Sequence, residues 1–348
     1  MNIKQIAKAA GVSVATVSRV MNHPENVAPK TRDKILKIME EEEYKPNWFA
    51  QGLNFNKTKT IGLVIPHMLN SMYMEIAKGV EDVAQQKGYI TFMCNVEKDT
   101  EIEKNYIEQL LTRRVDGIIL MFSSLDEKFI KSVEEQDVPV VLIGEDRCAK
   151  GFNTVKVDCR IGAENMVSQL IENGHDSIGI LYGNDPQQET QDMLEGYKNV
   201  LKENDMDISD EYIKLVENTI EGGYLGAKKM MAPGAPRAIF TTSDEIAYGA
   251  MDAMKAAGIT YGVDGDVIII SFDATHDGLQ YTLDGDIHCN VECNPIQAQY
   301  VADLIQQMEA GEEFATYTLV EDSAFVAPGI ESEYALTMTQ EILDGRAY

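Results

Sequence analysis

From Thr60 onward, short apolar runs alternate with stretches of helical period, and this alternation restricts the possible folds more than any other feature of the chain. Ile61-Gly-Leu-Val-Ile65 has the pattern of a buried strand, 73–87 is helical by spacing, 89–93 is a strand, 101–113 a helix and 117–121 a strand. Residues 129–136 and 138–143 continue the series. A second series follows: helix 161–173, strand 177–182, helix 190–204, strand 238–241, helix 245–257 and strand 267–272. Strands separated by helices pair in parallel, through right-handed crossovers. Two such series predict two similar α/β lobes, with ligands taken at the carboxyl ends of the strands.

The first 60 residues follow a different grammar. Ile3, Ile6, Ala7 and Ala10 recur at helical spacing and make one apolar face. Gly11 permits a sharp turn, and Ser13 is placed to cap a second helix by accepting from its free amides. Val17, Val20 and Met21 then face the first helix, while Val14, Ala15, Ser18 and Arg19 are left on or beside the outer face. Two short helices joined this way make a hairpin that fits a major groove. Arg19 suits a bidentate contact to guanine, and Val14 and Ala15 suit thymine methyl groups. Pro29 opens a third helix, whose Ile35, Ile38 and Met39 close a small core. A polar run up to Thr60 reads as a linker.

Charge separates the same two regions. Residues 1–60 hold ten Lys and Arg against six acids, a net of +4, whereas the chain as a whole is −27 and the remainder therefore −31. A basic head on an acidic body points to nucleic acid bound by the head alone, because the body repels phosphate. The apolar fraction of 44% supports a full core over 348 residues. Five scattered cysteines lack metal-ligand spacing and are expected to be reduced thiols in a cytoplasm. No signal peptide or membrane span is read, and no cofactor is expected. Enzyme signatures are absent: no nucleotide-binding Gly-rich loop at a strand-to-helix turn, no Gly-x-Ser-x-Gly elbow, no metal-spaced His pair.

The head carries Ala-Gly-Val-Ser-x-x-Thr-Val-Ser-Arg-Val, then Asn22, Thr31-Arg32 and Tyr44-x-Pro46-Asn47-x-x-Ala50-x-x-Leu53. In these residues it resembles the LacI/GalR family of bacterial transcription regulators. The resemblance implies DNA contacts from Ser13, Val14, Ala15, Thr16, Ser18, Arg19 and Asn22. It also implies a hinge helix carrying Asn47, Ala50 and Leu53 into the minor groove, Leu53 wedging between base pairs at the centre of a palindrome. Ala28 stands where the family favours a capping Ser, and Glu42-Glu43 replace the usual Leu-Gly before Tyr44.

The body resembles the periplasmic-binding-protein-like effector domain of the same family. Its landmarks are Val115-Asp116-Gly117, Val157-Asp158 to Gly162, Gly174-His175, Gly196-Tyr197, Ser243-Asp244 and Phe272-Asp273, and the tail through Asn294-Pro295 is closer to ribose-type binding proteins. The implied architecture is an α/β chain: an all-α helix-turn-helix head at 1–46, a hinge and linker at 47–59, and a two-lobed body of parallel sheets flanked by helices at 60–348. Lobe 1 takes about 60–157 and 291–321, and lobe 2 about 158–290 and 322–348.

The resemblance places an effector between the lobes, at Asn70, Met72, Tyr73, Glu145, Arg147, Met193, Ser243, Asp273 and Cys293. Several of these depart from the pattern. A ligand arginine is replaced by Met193, an Asn by Ser243 and a Gln by Cys293, while Gly144-Glu145 stand in place of Asp-Arg, with Asp146-Arg147 able to substitute. Losing a rigid guanidinium fork disfavours an ordinary pentose or hexose and an anionic ligand. The expectation is a neutral, more apolar or cationic sugar-like effector, or a degenerate cleft. The functional expectation is a homodimeric, sequence-specific regulator, a repressor of a carbohydrate-uptake or catabolism operon, binding double-stranded operator DNA and not a membrane. The alternative is a small-molecule binding protein with a vestigial head. Met68, Met72, Met74, Ile76 and Val80 fit either a dimer face or a helix core.

Overall fold

The computed structural model describes residues 2–42, 44, 57–144, 151–184, 188–206, 209–231, 236–292, 317–320 and 323–327. The chain divides into two compact units, Met1–Thr58 and Lys59–Tyr348.

In the first unit, α1 (Ile3–Ala10), α2 (Val14–Asn22) and α3 (Pro29–Glu41) enclose a small core. Ile6, Ala7, Ala10, Val17, Val20 and Ile35 are buried there, with Ile38, Met39 and Tyr44 packed against them. Asn2 and Gln5 form a reciprocal capping box at the start of α1. Gly11 ends that helix at φ 70°, a left-handed conformation that a side chain disfavours. Ala28 precedes α3 without a side-chain cap, and Pro29 supplies the pre-set backbone angle instead.

The second unit contains two six-stranded sheets. The first sheet joins β1 (Thr60–Ile65), β2 (Ile90–Asn95), β3 (Gly117–Met121), β4 (Val140–Ile143), β5 (Asn153–Val157) and β11 (Tyr317–Val320) in the order β11-β5-β4-β3-β1-β2, all parallel. The second joins β6 (Ile178–Gly183), β7 (Ile213–Val216), β8 (Ala238–Thr241), β9 (Ile268–Asp273), β10 (Cys289–Glu292) and β12 (Ser323–Val326) in the order β12-β10-β9-β8-β6-β7, with only β10–β12 antiparallel. The chain thus passes between sheets after β5, after β10 and after β11.

Helices cover both faces because the central strands are apolar on both. In the first lobe, Ile61, Leu63 and Ile65 of β1 pack with α4 (Ser71–Gln86), whereas Val64 joins the cluster beneath α5 (Thr100–Thr112) and α6 (Glu127–Glu134). In the second lobe, Ile180, Phe240 and Ile270 face α7 (Cys159–Glu172) and α8 (Gln188–Glu203). Leu181, Ile239 and Ile269 face α9 (Ile220–Met230) and α10 (Asp244–Ala257). The two helices α9 and α10 approach so closely that a Cβ on Gly249 would overlap Ile220 O, and one on Gly223 would overlap Ile246 O.

Strands 117–121 and 238–241 stand where the hydrophobic pattern put them, and the other expected elements differ by a few residues at their ends. The pattern did not reveal β5, β7, α9, β10, β11, β12 or α11 (His276–Leu283), which are short or interrupted by polar residues and glycine. Of the apolar residues considered for a dimer face, Met72, Ile76 and Val80 belong to the core and Met74 packs against it. Packing of the inner face of α4 on the sheet accounts for them, and of the five only Met68 is exposed.

Candidate DNA-reading surface and interlobe cavity

Ser13 Oγ accepts from Thr16 N at 3.1 Å and lies 2.8 Å from Thr16 Oγ1, so the start of α2 is fixed by its own cap. Val17 and Val20 turn inward, and this sets the outer face. Val14, 40% exposed, stands on it with the exposed Ala15 and Arg19, while Thr16 and Ser18 are half-buried. Among the described residues the Arg19 guanidinium has no hydrogen-bond or ion-pair partner, so the outer face of α2 presents a cation beside two small apolar groups. The side chain of Asn22 and all of Asn47, Ala50 and Leu53 lie outside the described residues, as does Glu43. Glu40 to Glu42 are exposed at the end of α3, with Glu41 3.7 Å from Lys37.

In the body, a cavity of about 420 Å³ lies between the lobes. The first lobe contributes His67, Leu69, Asn70, Tyr73, Glu97 and Lys98; the second contributes Asn218, Thr219 and Glu245. Every one of them follows the carboxyl end of a strand: β1, β2, β7 or β8. The volume falls within the usual range for small-ligand pockets, and the lining exposes polar and apolar surface in nearly equal measure.

The lining is internally braced. Asn70 caps α4 by accepting from Tyr73 N at 3.0 Å. The Tyr73 ring is buried against Phe122, with centroids 5.2 Å apart. Glu97 Oε2 lies 2.7 Å from His67 Nδ1, and Glu97 Oε1 accepts from Asn95 Nδ2. The Asn95 amide, followed by His67, holds the Glu97 carboxyl below its ordinary range. Glu97 and Lys98 both adopt positive φ, 51° and 56°, which turns the loop after β2 toward the cavity. Ser243 caps α10 and donates to Asn218 Oδ1 at 2.6 Å, one residue behind the cavity surface.

Of the residues expected at the effector, Asn70 and Tyr73 line this cavity, and Ser243 supports a lining residue. Met72 and Met193 do not line it; both are buried in the core cluster beneath the sheets. Asp273 is buried at the carboxyl end of β9 and is not part of this lining either. Burial and the neighbouring Asp244, Glu245 and Glu75 carboxylates push its own carboxyl well above the usual range. Glu145, Arg147 and Cys293 lie outside the described residues. His67, Glu97, Lys98, Asn218, Thr219 and Glu245 were missed in sequence, although the rule that ligands sit past strand carboxyl ends would have found them once β2 was bounded correctly and β7 recognised.

Comparison with known proteins agrees with this architecture. Residues 2–47 match the family described as bacterial regulatory proteins, lacI family, and residues 58–315 match the periplasmic binding proteins and sugar binding domain of the LacI family. Catabolite control protein A of Staphylococcus xylosus is 34% identical over 275 residues, 79% of this chain and 83% of its own. Catabolite control protein A of Priestia megaterium is 34% identical over 278 residues, with the same shares covered. Among solved structures, the lac repressor dimer bound to operator and the anti-inducer ONPF aligns with a TM-score of 0.81 at 25% identity, over 93% of this chain and 97% of that one. One family model falls on the three-helix head and the other on most of the two-lobed body, 258 of the 348 residues: the chain belongs to the LacI family of DNA-binding bacterial transcription regulators.

Proposed function

We propose that this regulator acts as a homodimer on a palindromic operator and controls a carbohydrate operon in response to a small molecule in the interlobe cavity, with no catalytic step. The observation that carries the reading is the outer face of α2, where Ser13 fixes the helix start and Val14, Ala15 and Arg19 point outward. Arg19 reads guanine, Val14 and Ala15 meet thymine methyls, and Ser13, Thr16, Ser18 and Asn22 complete the contacts. The functional parts are the head at 1–46, a hinge at 47–59 whose Asn47, Ala50 and Leu53 enter the minor groove, and the effector body at 60–348. Operators of two-fold symmetry call for two copies of the head. Edge strand β2 exposes Ile90, Phe92 and Met93, and α9 exposes Ile220 and Leu225, apolar surface suited to a second copy.

The relatives named for catabolite control and the lac repressor structure with its bound anti-inducer support a metabolic effector. The cavity is braced by Asn70, Tyr73, Glu97 and Asn218, and its lining carries the carboxyl groups of Glu97 and Glu245 against the single lysine Lys98, which favours a neutral or cationic sugar-like molecule. Glu145, Arg147 and Cys293 are retained as candidate contacts alongside Ser243 and Asp273. Salt-dependent gel shift on a pseudo-palindrome tests the DNA reading: a regulator retains sequence discrimination as salt rises, and a vestigial head does not. Calorimetry against a carbohydrate panel tests the effector, and tight binding of an ordinary aldohexose would count against the proposed ligand class.

A further inference from the structure

The lobes are joined not only by the chain crossovers but by two side-chain ties outside the cavity lining. Lys156 on β5 of the first lobe places Nζ 3.2 Å from Asp192 Oδ2 on α8 of the second, and these side chains are only 12% and 15% exposed. Glu75 on α4 of the first lobe accepts through Oε1 from His276 N, the first amide of α11 in the second, at 2.8 Å.

Each tie has a physical cost of breakage. An ion pair so little exposed is screened less by solvent and salt than a surface pair, and removing one partner leaves the other poorly solvated. The amide at His276 is one of the orphan donors of a helix start. That start is anchored in its own lobe, because Thr275 donates to Asp244 through both N and Oγ1. Glu75 therefore grips a fixed point of the opposite lobe. The residue after Asp192 is the buried Met193, where the family resemblance leads one to expect a ligand-facing arginine. At this end of α8 the interlobe contact is made by Lys156 of the protein itself.

We propose that Lys156–Asp192 and Glu75–His276 form an internal latch that holds the lobes together with no effector bound. The basal interlobe angle is then a property of the chain, and an effector adjusts a closed body instead of closing an open one. The reading does not depend on the identity of the effector or the operator.

Small-angle scattering of the full-length, DNA-free protein without effector tests the latch, alongside amide exchange at His276. The wild type should scatter as closed lobes. Lys156→Met, Asp192→Asn and Glu75→Ala should each enlarge the radius of gyration, and Glu75→Ala should lower protection of the His276 amide by roughly tenfold or more. The reversed pair, Lys156→Asp with Asp192→Lys, should return the scattering toward wild type. Should Lys156→Met fail to fold, the near-isosteric Asp192→Asn carries the same test. Open lobes in the wild type, variants that superpose on it, or a reversed pair as open as the single variants would overturn the proposal.

Discussion

Asp244 Oδ2 accepts from both the amide and the hydroxyl of Thr275, at 2.9 and 2.7 Å. Its other oxygen takes Ser271 Oγ at 2.8 Å and Asn290 Nδ2 at 2.6 Å. The carboxylate is fully buried and meets only donors in these four bonds. Burial pushes the carboxyl up to about 6, against the pull of Thr275, Ser271 and Asn290. This junction ties β9, β10, α10 and the start of α11 into one block at the carboxyl edge of the second sheet.

Asp244→Asn should destabilise the body. An amide in that position turns its NH₂ toward groups that are themselves donors, leaving at least one buried donor unmet, a cost of about 1–3 kcal/mol. The measurement is the thermal midpoint of the full chain at neutral pH, which should fall.

Asp273→Asn should have the opposite sign at neutral pH. The Asp273 carboxyl is raised in the folded protein by burial and then by Asp244. A raised carboxyl binds its proton more tightly folded than unfolded. Its contribution is therefore favourable below the ordinary carboxylate pKa and is lost as pH rises through the folded value. The neutral amide removes that loss, so the variant should match wild type near pH 4 and exceed it increasingly toward pH 7. Melting curves across this range decide the matter; an equal offset at every pH would rule out the titration of Asp273.

Arg19→Ala should lose roughly 1–3 kcal/mol of discrimination for the correct operator while leaving dimerisation and folding intact, since the side chain is exposed. Competition gel shifts with matched and mutated half-sites measure it, and unchanged discrimination would remove Arg19 from the reading face.

Gly249→Ala should damage the second lobe without touching the head. The added Cβ overlaps Ile220 O and the Tyr224 amide, backbone atoms of α9 that cannot rotate away. Overpacking of this kind costs about 1–3 kcal/mol or more. The body's unfolding transition should shift down, whereas DNA binding by the folded fraction should persist.

The legibility of this chain varied with the range of the interactions involved. Gly11, Ser13 and the inward Val17 and Val20 act within a few residues of one another, and all stand where local spacing put them. The strand at 117–121 is buried along its whole length and reads as an unbroken apolar run. Helix α9 did not read as a helix, because Gly222 and Gly223 lower its propensity; it forms because Gly223, together with Gly249 on α10, lets the two helices pack closely. Met72 and Met193 fell on motif positions of a ligand site, yet helix orientation turns both into the core.

By itself the sequence determined the capped helical pair of the head, the segregation of charge between head and body, and the alternation that requires parallel sheets. Those are consequences of periodicity, capping chemistry and composition. Only the tertiary structure decided that loops after β1, β2, β7 and β8 share one cavity, and that Lys156 meets Asp192 and Glu75 meets His276 across the lobes. Residues as far apart in the chain as 75 and 276 carry no local signal of each other; their contact exists only once both sheets have formed and the crossovers have joined the lobes.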